Sequence, residues 1–431
     1  MKRIILLLGT LLAALWLASA SYAESKPFIT KWKGEAGKEL KIPIFGTNYK
    51  LVIKKASDNT VLKTENSLTI TENDNFYTYT PAENGELLVE AGPEGVEYIR
   101  FVDNKSKRGS AENLLTIEQF GTVAWKSMFF AFQYCKNMQF AATVGTPDLS
   151  NVTNMVYMFY ECYAFNQDIS GWDVSKVTDM SEMFWDCSAF NQNLGSWKLK
   201  NCRELGLYHC GMSIENYSKS LIGWAGQADI NENLLLEAYN LHFNEAAKSA
   251  RTKLMKEKHW SILGDVSEGG EVYDLRVGGV QLSSDNFTSF QQALTDAGVL
   301  KKGKVSVTLE GEKLILKLEN AELTAPYDDF PIYMLESRDN EITLQLQGVC
   351  TITQLSERND AIAVRKGSIV GRNTDDKLSV KGGNVYFSTA IRNCTIEVEK
   401  TLEGYWGIDL EIDNAIVKAK SITRVDLTLK N

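Results

Sequence analysis

Residues 152–199 read VTNMVYMFYECYAFNQDISGWDVSKVTDMSEMFWDCSAFNQNLGSWKL, which is one pattern written twice. Val177 to Cys187 repeats Val152 to Cys162 at an interval of 25 residues, and each copy is followed by a similar tail, Phe165 to Val174 and Phe190 to Leu199. A weaker copy precedes them, with Trp125, Met128, Ala131, Phe132 and Cys135 at the same offsets; a degenerate one follows, with Leu199, Cys202, Leu205 and Cys210. At ~100° per residue the offsets 0, +3, +6, +7 and +10 fall within an arc of roughly 120°, which predicts an amphipathic helix of about three turns. Its buried face carries Met128 and Cys135 in the first copy, Met155, Met158, Phe159 and Cys162 in the second, and Met180, Met183, Phe184 and Cys187 in the third. In the tails Ile169, Trp172 and Val174 stand among Gly and Asp, which predicts a turn and a short strand. Repeats of ~20–50 residues bury their apolar face only by stacking, so a solenoid of helix-loop-strand units is expected.

The same geometry bears on the cysteines. There are seven, an odd number. Cys135, Cys162, Cys187 and Cys210 form one column on successive buried faces; packed helices lie ~8–10 Å apart, whereas a disulfide needs Cα atoms within ~7 Å. Buried thiols are expected rather than bridges, and the intervals fit no zinc site.

Lys2 and Arg3 precede the apolar run Ile4 to Ala18 and the small-residue pattern Ser21-Tyr22-Ala23, which reads as a signal peptide over residues 1–23. No cysteine follows the cleavage region, so a lipoprotein is not expected, and no later segment is apolar enough to span a bilayer. The formal charge is −9, and losing Lys2 and Arg3 makes it more acidic, which argues against nucleic acid as a partner. Residues 27–110 alternate short β-type runs with turns, as in Leu40 to Ile44, Tyr49 to Ile53 and Leu87 to Val89, the pattern of a small β-sandwich. After Ser267-Glu-Gly-Gly-Glu271, read as a linker, strand-like runs such as Leu314 to Leu318, Ile342 to Leu346 and Ile408 to Ile412 recur, with small-residue corners at Asn320-Ala321 and Asn414-Ala415. One helical patch, Phe287 to Ala297, interrupts them. Such strands suit a β-solenoid.

The strings FNQDISGWDVSKVTDM (165–180) and MFWDCSAFNQ (183–192) resemble the repeats of BspA-like bacterial surface proteins, a leucine-rich-repeat type. Leu114 to Trp125 is similar to that family's entry segment. Leu221 to Trp224, Ala246 to Arg251 and Trp260 to Asp265 are similar to its closing cap, the last with one residue more than the usual W-x-I-x-D. The likeness spans Pro27 to Asp265. Tyr273 to Leu282 and the later LKLENA resemble β-helix modules of exported Bacteroidetes-type proteins, some related to carbohydrate-binding domains. The fold expected is therefore multidomain and mostly β with α/β repeats: an Ig-like or PKD-like β-sandwich (27–110), a leucine-rich-repeat-like solenoid with a helical cap (111–266), a linker (267–271) and a β-solenoid (272–431). What the resemblance implies of function is display on the cell surface, outside a Gram-negative outer membrane, and adhesion to host or matrix proteins or to other cells.

The search for chemistry leaves little. His209, His242 and His259 fall into no catalytic or metal spacing, and no H-E-x-x-H, G-x-S-x-G or phosphate-cradling glycine loop occurs. The acidic pairs Asp328-Asp329 and Asp375-Asp376 have the oxygen donors calcium takes, but adjacent carboxylates in polar loops are expected to be solvated. No enzyme, cofactor or metal is expected. Off the buried arc, Tyr160 and Trp185 occupy equivalent positions, with Tyr157 and Tyr163 nearby. Stacked copies would align these rings into a row suited to protein hot spots or sugar faces; packing under neighbouring loops is the competing reading. Glycan binding through the last domain is the alternative function, and a polysaccharide-active enzyme, for which no residues stand out, the third.

Overall fold

The computed structural model describes residues 25–71, 74–102, 109–311, 313–324, 335–337, 341–354, 361–382, 385–403, 410–423 and 427–430. The signal segment and Asp328-Asp329 lie outside them. The chain divides into two compact units at Trp260/Ser261, and most of its regular structure is β.

The first unit opens with strands β1 (Phe28–Gly34), β2 (Leu40–Ile42), β3 (Ile44–Lys55), β4 (Val61–Ile70), β5 (Tyr77–Tyr79), β6 (Gly85–Ala91) and β7 (Val96–Ile99). Then come β8 (Leu114–Gln119) and the short β9 (Gln139–Phe140). Strand alternation places Phe28, Thr30 and Trp32 of β1 inward. The Trp32 indole donates to Thr30 Oγ1 at 2.7 Å, and that hydroxyl donates to Val89 O, so the buried polar atoms are paired. The main sheet has the order β4-β3-β6-β1-β8-β9, with β7 on β3, while β2 and β5 pair separately. Here the expected Ig-like or PKD-like sandwich is corrected. Antiparallel pairing of β8 with β1 and parallel pairing of β9 with β8 carry a seven-stranded sheet through residue 110 into the first repeat.

The expected helices also fail to form. Residues 156–161 and 181–186 are successions of turns. Within a copy the N–H donates three residues back, as from Met158 to Met155, Cys162 to Phe159 and Cys187 to Phe184; between copies it donates one repeat forward, as from Tyr157 to Ser181, Phe159 to Met183 and Glu161 to Trp185. The reason is one of period: chained β-turns return every third or fourth side chain to one face, so apolar spacing alone does not separate them from a helix. Backbone signs separate them. Phe130, Tyr134, Tyr157, Glu161, Glu182, Asp186 and His209 all have φ between 52° and 67°, a left-handed conformation that no α-helix admits.

The copies nevertheless lie nested. Met128, Cys135, Met155, Met158, Phe159, Cys162, Met180, Met183, Phe184 and Cys187 are all 0% exposed, and each of the methionines and phenylalanines contributes roughly 1.5–3 kcal/mol by leaving water. The rings of Phe132, Phe159 and Phe184 stack in a column at 5.7 Å. Side chains stitch the tails: Asn166 Oδ1 accepts from Asn191 N, and Asn191 O accepts from Asn216 Nδ2. The indoles of Trp197 and Trp224 donate to Ile169 O and Leu194 O. All seven cysteines are free and buried, with the Cys162 and Cys187 thiols donating to Phe132 O and Phe159 O. Strands β10 (Asp179–Met180), β11 (Glu204–Gly206) and β12 (Leu235–Glu237) pair in parallel. Two helices, α1 (Ile214–Ala225) and α2 (Lys248–Glu257), pack on one another after the turns; Ser213 caps α1 by accepting from Asn216 N. The expected leucine-rich-repeat-like solenoid with helical cap is thus corrected to turns, short parallel strands and a helix pair.

In the second unit residues 267–271, read as a linker, form a turn in which Ser267 N and Glu271 N donate to Asp285 and Ser284 side chains. The patch at 287–297 holds α3 (Phe290–Asp296). In place of the expected β-solenoid, the described residues form one 14-stranded sheet, mostly parallel. Register puts Leu316, Leu344, Ile369, Ile391 and Ile412 in one line, and Leu323, Ile352, Val380 and Val398 in another; all are buried. The corners are left-handed asparagines, Asn320, Asn393 and Asn414, the residue type that tolerates this conformation best after glycine. Gly348, at φ 75°, has no room for a Cβ, which would lie 2.1 Å from Asn320 Oδ1.

Candidate binding face

Because alternate N–H groups of the turn copies, such as those of Tyr157, Phe159 and Glu161, reach one repeat forward, side chains off the buried arc are set in rows. Tyr160 and Trp185 stack at 6.0 Å with planes 20° apart. Beyond them Tyr208 lies 4.0 Å from Trp185 at 21°, and Tyr239 lies 4.9 Å from Tyr208. In the other direction Tyr134 meets Tyr160 edge-on at 5.8 Å. The row therefore runs Tyr134, Tyr160, Trp185, Tyr208, Tyr239, with the first four partly exposed and Tyr239 buried. Tyr157 lies beside it, 5.4 Å from Tyr160 and stacked on Phe130 at 5.0 Å. Tyr163 is 40% exposed, and Lys136 Nζ sits 5.5 Å above its ring.

All four rings singled out from the sequence are thus in one neighbourhood, but Tyr157 and Trp185 each pack on Tyr160, and Tyr163 meets Lys136 and Glu161 instead. Sequence reasoning missed Tyr208 and Tyr134. Tyr208 stands two places before Cys210, just as Tyr160 and Trp185 stand two before Cys162 and Cys187, so the signal was present in the degenerate fourth copy. Tyr134 had no such signal. Its N–H donates to Tyr160 O as that of Glu161 does to Trp185 O, so it occupies the position of Glu161 and enters the row out of register.

Carboxylates line the row. Glu161 accepts from the Tyr163 hydroxyl at 3.0 Å, Glu182 from the Tyr157 hydroxyl at 2.8 Å, and Asp186 is 3.0 Å from His209 Nδ1. Burial, with Glu161, Glu182 and Asp186 nearby, pushes the Tyr160 hydroxyl up to about 12. Burial, reinforced by Glu237 and Asp179, pushes Glu204 up to about 8. Asp179 and Glu204 are register partners on β10 and β11, so two carboxylates share one edge of the strands.

Among the described residues no cluster of three or more His, Cys, Asp or Glu side chains is arranged to hold a metal ion. Of the Asp375-Asp376 pair, Asp375 is exposed as expected, but Asp376 is not solvated. Asp376 is 1% exposed, accepts from Gly348 N and Arg372 N, and takes both Arg372 Nε and a terminal guanidinium nitrogen. Its oxygens are thereby committed to the protein. His209 lies on the carboxylate row; the sequence had given it no role.

Residues 103–218, which include most of the row, match the model of a family described as "Mycoplasma protein of unknown function, DUF285". No curated protein and no solved structure matches the chain.

Proposed function

We propose that this chain is an exported surface protein that binds other proteins through the row of rings, without catalysis and without a cofactor. The observation that carries the reading is the row itself: four partly exposed aromatic side chains from four successive copies, held by main-chain bonds between copies. Aromatic side chains offer large contact area at low entropic cost and dominate protein interfaces. Export is supported by the residues from Lys2 to Ala23, and the likeness to BspA-like repeats supports host or matrix proteins as partners. The test uses the full mature chain on arrays of matrix proteins and of glycans, alongside Tyr160→Ala with Trp185→Ala. The reading expects a matrix protein to be retained and the double variant to lose it by about tenfold or more at unchanged thermal stability. Glycan retention that the variant leaves untouched would transfer the function to the second unit.

A further inference from the structure

We infer that the row of rings and carboxylates on the first unit takes an extended polypeptide with lysine or arginine at alternate positions. The inference rests on the reading above and names its ligand chemistry. Tyr160, Trp185 and Tyr208 lie nearly parallel, at 20° and 21°, so much of each ring face is spent on its neighbour and the edges remain. A sugar ring needs a free aromatic face; the aliphatic stem of lysine or arginine lies well along ring edges and keeps its charge outward.

The charges favour the same ligand. Glu161 and Asp186 directly follow Tyr160 and Trp185, each in the left-handed conformation, so one ring and one carboxylate recur together per copy. Glu182 stands on the Tyr157 side, and Asp179 on β10 adds a further carboxylate. Two basic groups of the chain itself already use this surface: Lys136 over the Tyr163 ring and His209 on Asp186. The 6.0 Å from Tyr160 to Trp185 is close to the ~6.6–7 Å that an extended strand advances in two residues. Two side chains one such step apart thus meet Tyr160 with Glu161 and Trp185 with Asp186, each cation taking a ring edge and a carboxylate in a charge-assisted bond, while the 4.0 Å from Trp185 to Tyr208 is too short for a third step.

The test measures binding of the full mature chain to a labelled peptide of alternating lysine and threonine, with a glutamate–threonine peptide and a β-linked glucose oligomer as comparisons. Glu161→Gln with Asp186→Asn keeps shape and removes charge; its folding is checked by thermal unfolding. The expected result is binding of the basic peptide alone, weakened about tenfold in that variant and falling with added salt. Equal binding of the acidic peptide, preference for the oligosaccharide, or an unchanged affinity in the carboxylate variant overturns the inference. A matrix protein that needs Tyr160 and Trp185 but not the two carboxylates would leave the protein-binding reading standing while the basic-peptide inference fell.

Discussion

Glu204 illustrates how one residue is pulled in two directions. Main-chain pairing on β11 holds it beside Asp179, and burial raises its pKa to about 8, with Glu237, Asp179 and Glu182 adding to the shift and Ser181 opposing it. A folded-state pKa above the unfolded one means that the folded chain holds the proton longer. Its contribution to stability is therefore greatest in acid, and falls as pH rises from the unfolded carboxylate range through about 8. Glu204→Gln removes that ionisation, so its melting temperature should exceed that of the parent at pH 8–9 and match it near pH 4; equal shifts at both pH values would deny the penalty. Asp376 carries the opposite sign. The Arg372 guanidinium, with the Gly348 and Arg372 N–H groups, holds the carboxyl well below its ordinary range against the opposing effect of burial, so its contribution is present above the unfolded pKa and is lost as pH falls through the folded one.

At the scale of elements the lesson lies in the turn copies. The Met, Phe and Cys spacing was legible and so was the nesting of copies, because burial depends only on which side chains face inward. Helix was read instead of turn because Tyr157, Glu161, Glu182 and Asp186 carry no glycine to announce positive φ. A left-handed non-glycine residue costs ~1–2 kcal/mol, and forward bonds such as Glu161 N to Trp185 O and Asp186 N to Tyr208 O hold the conformation in place. A β-branched side chain there is worse still. Asp186→Val should therefore destabilise the first unit by about 1–2 kcal/mol relative to Asp186→Asn in denaturant unfolding, whereas a helical copy would make the two nearly equal. The Asp-x-Ser signals went unread as well: Asp168, Asp173 and Asp179 each accept from the N–H two residues on, the local turn chemistry of aspartate.

Across the whole molecule, sequence patterning read a repeat region up to residue 266 and a strand-rich remainder from 272, while the structure divides into two compact units at Trp260/Ser261. It could not reveal that β1 and β8, 80 or more residues apart, share a sheet, since pairing between distant strands leaves no local trace. Nor could it place Tyr134 in the ring row, which depends on a register set by main-chain bonds. The row was partly legible through the column cysteines, and the account of function stands on it. Hydrogen exchange of the full mature chain, free and saturated with whichever matrix protein the arrays retain, tests that account most directly. Slowed exchange at 157–163, 182–186 and 206–209, with 313–403 unchanged, is the predicted result; protection confined to 313–403 would contradict it.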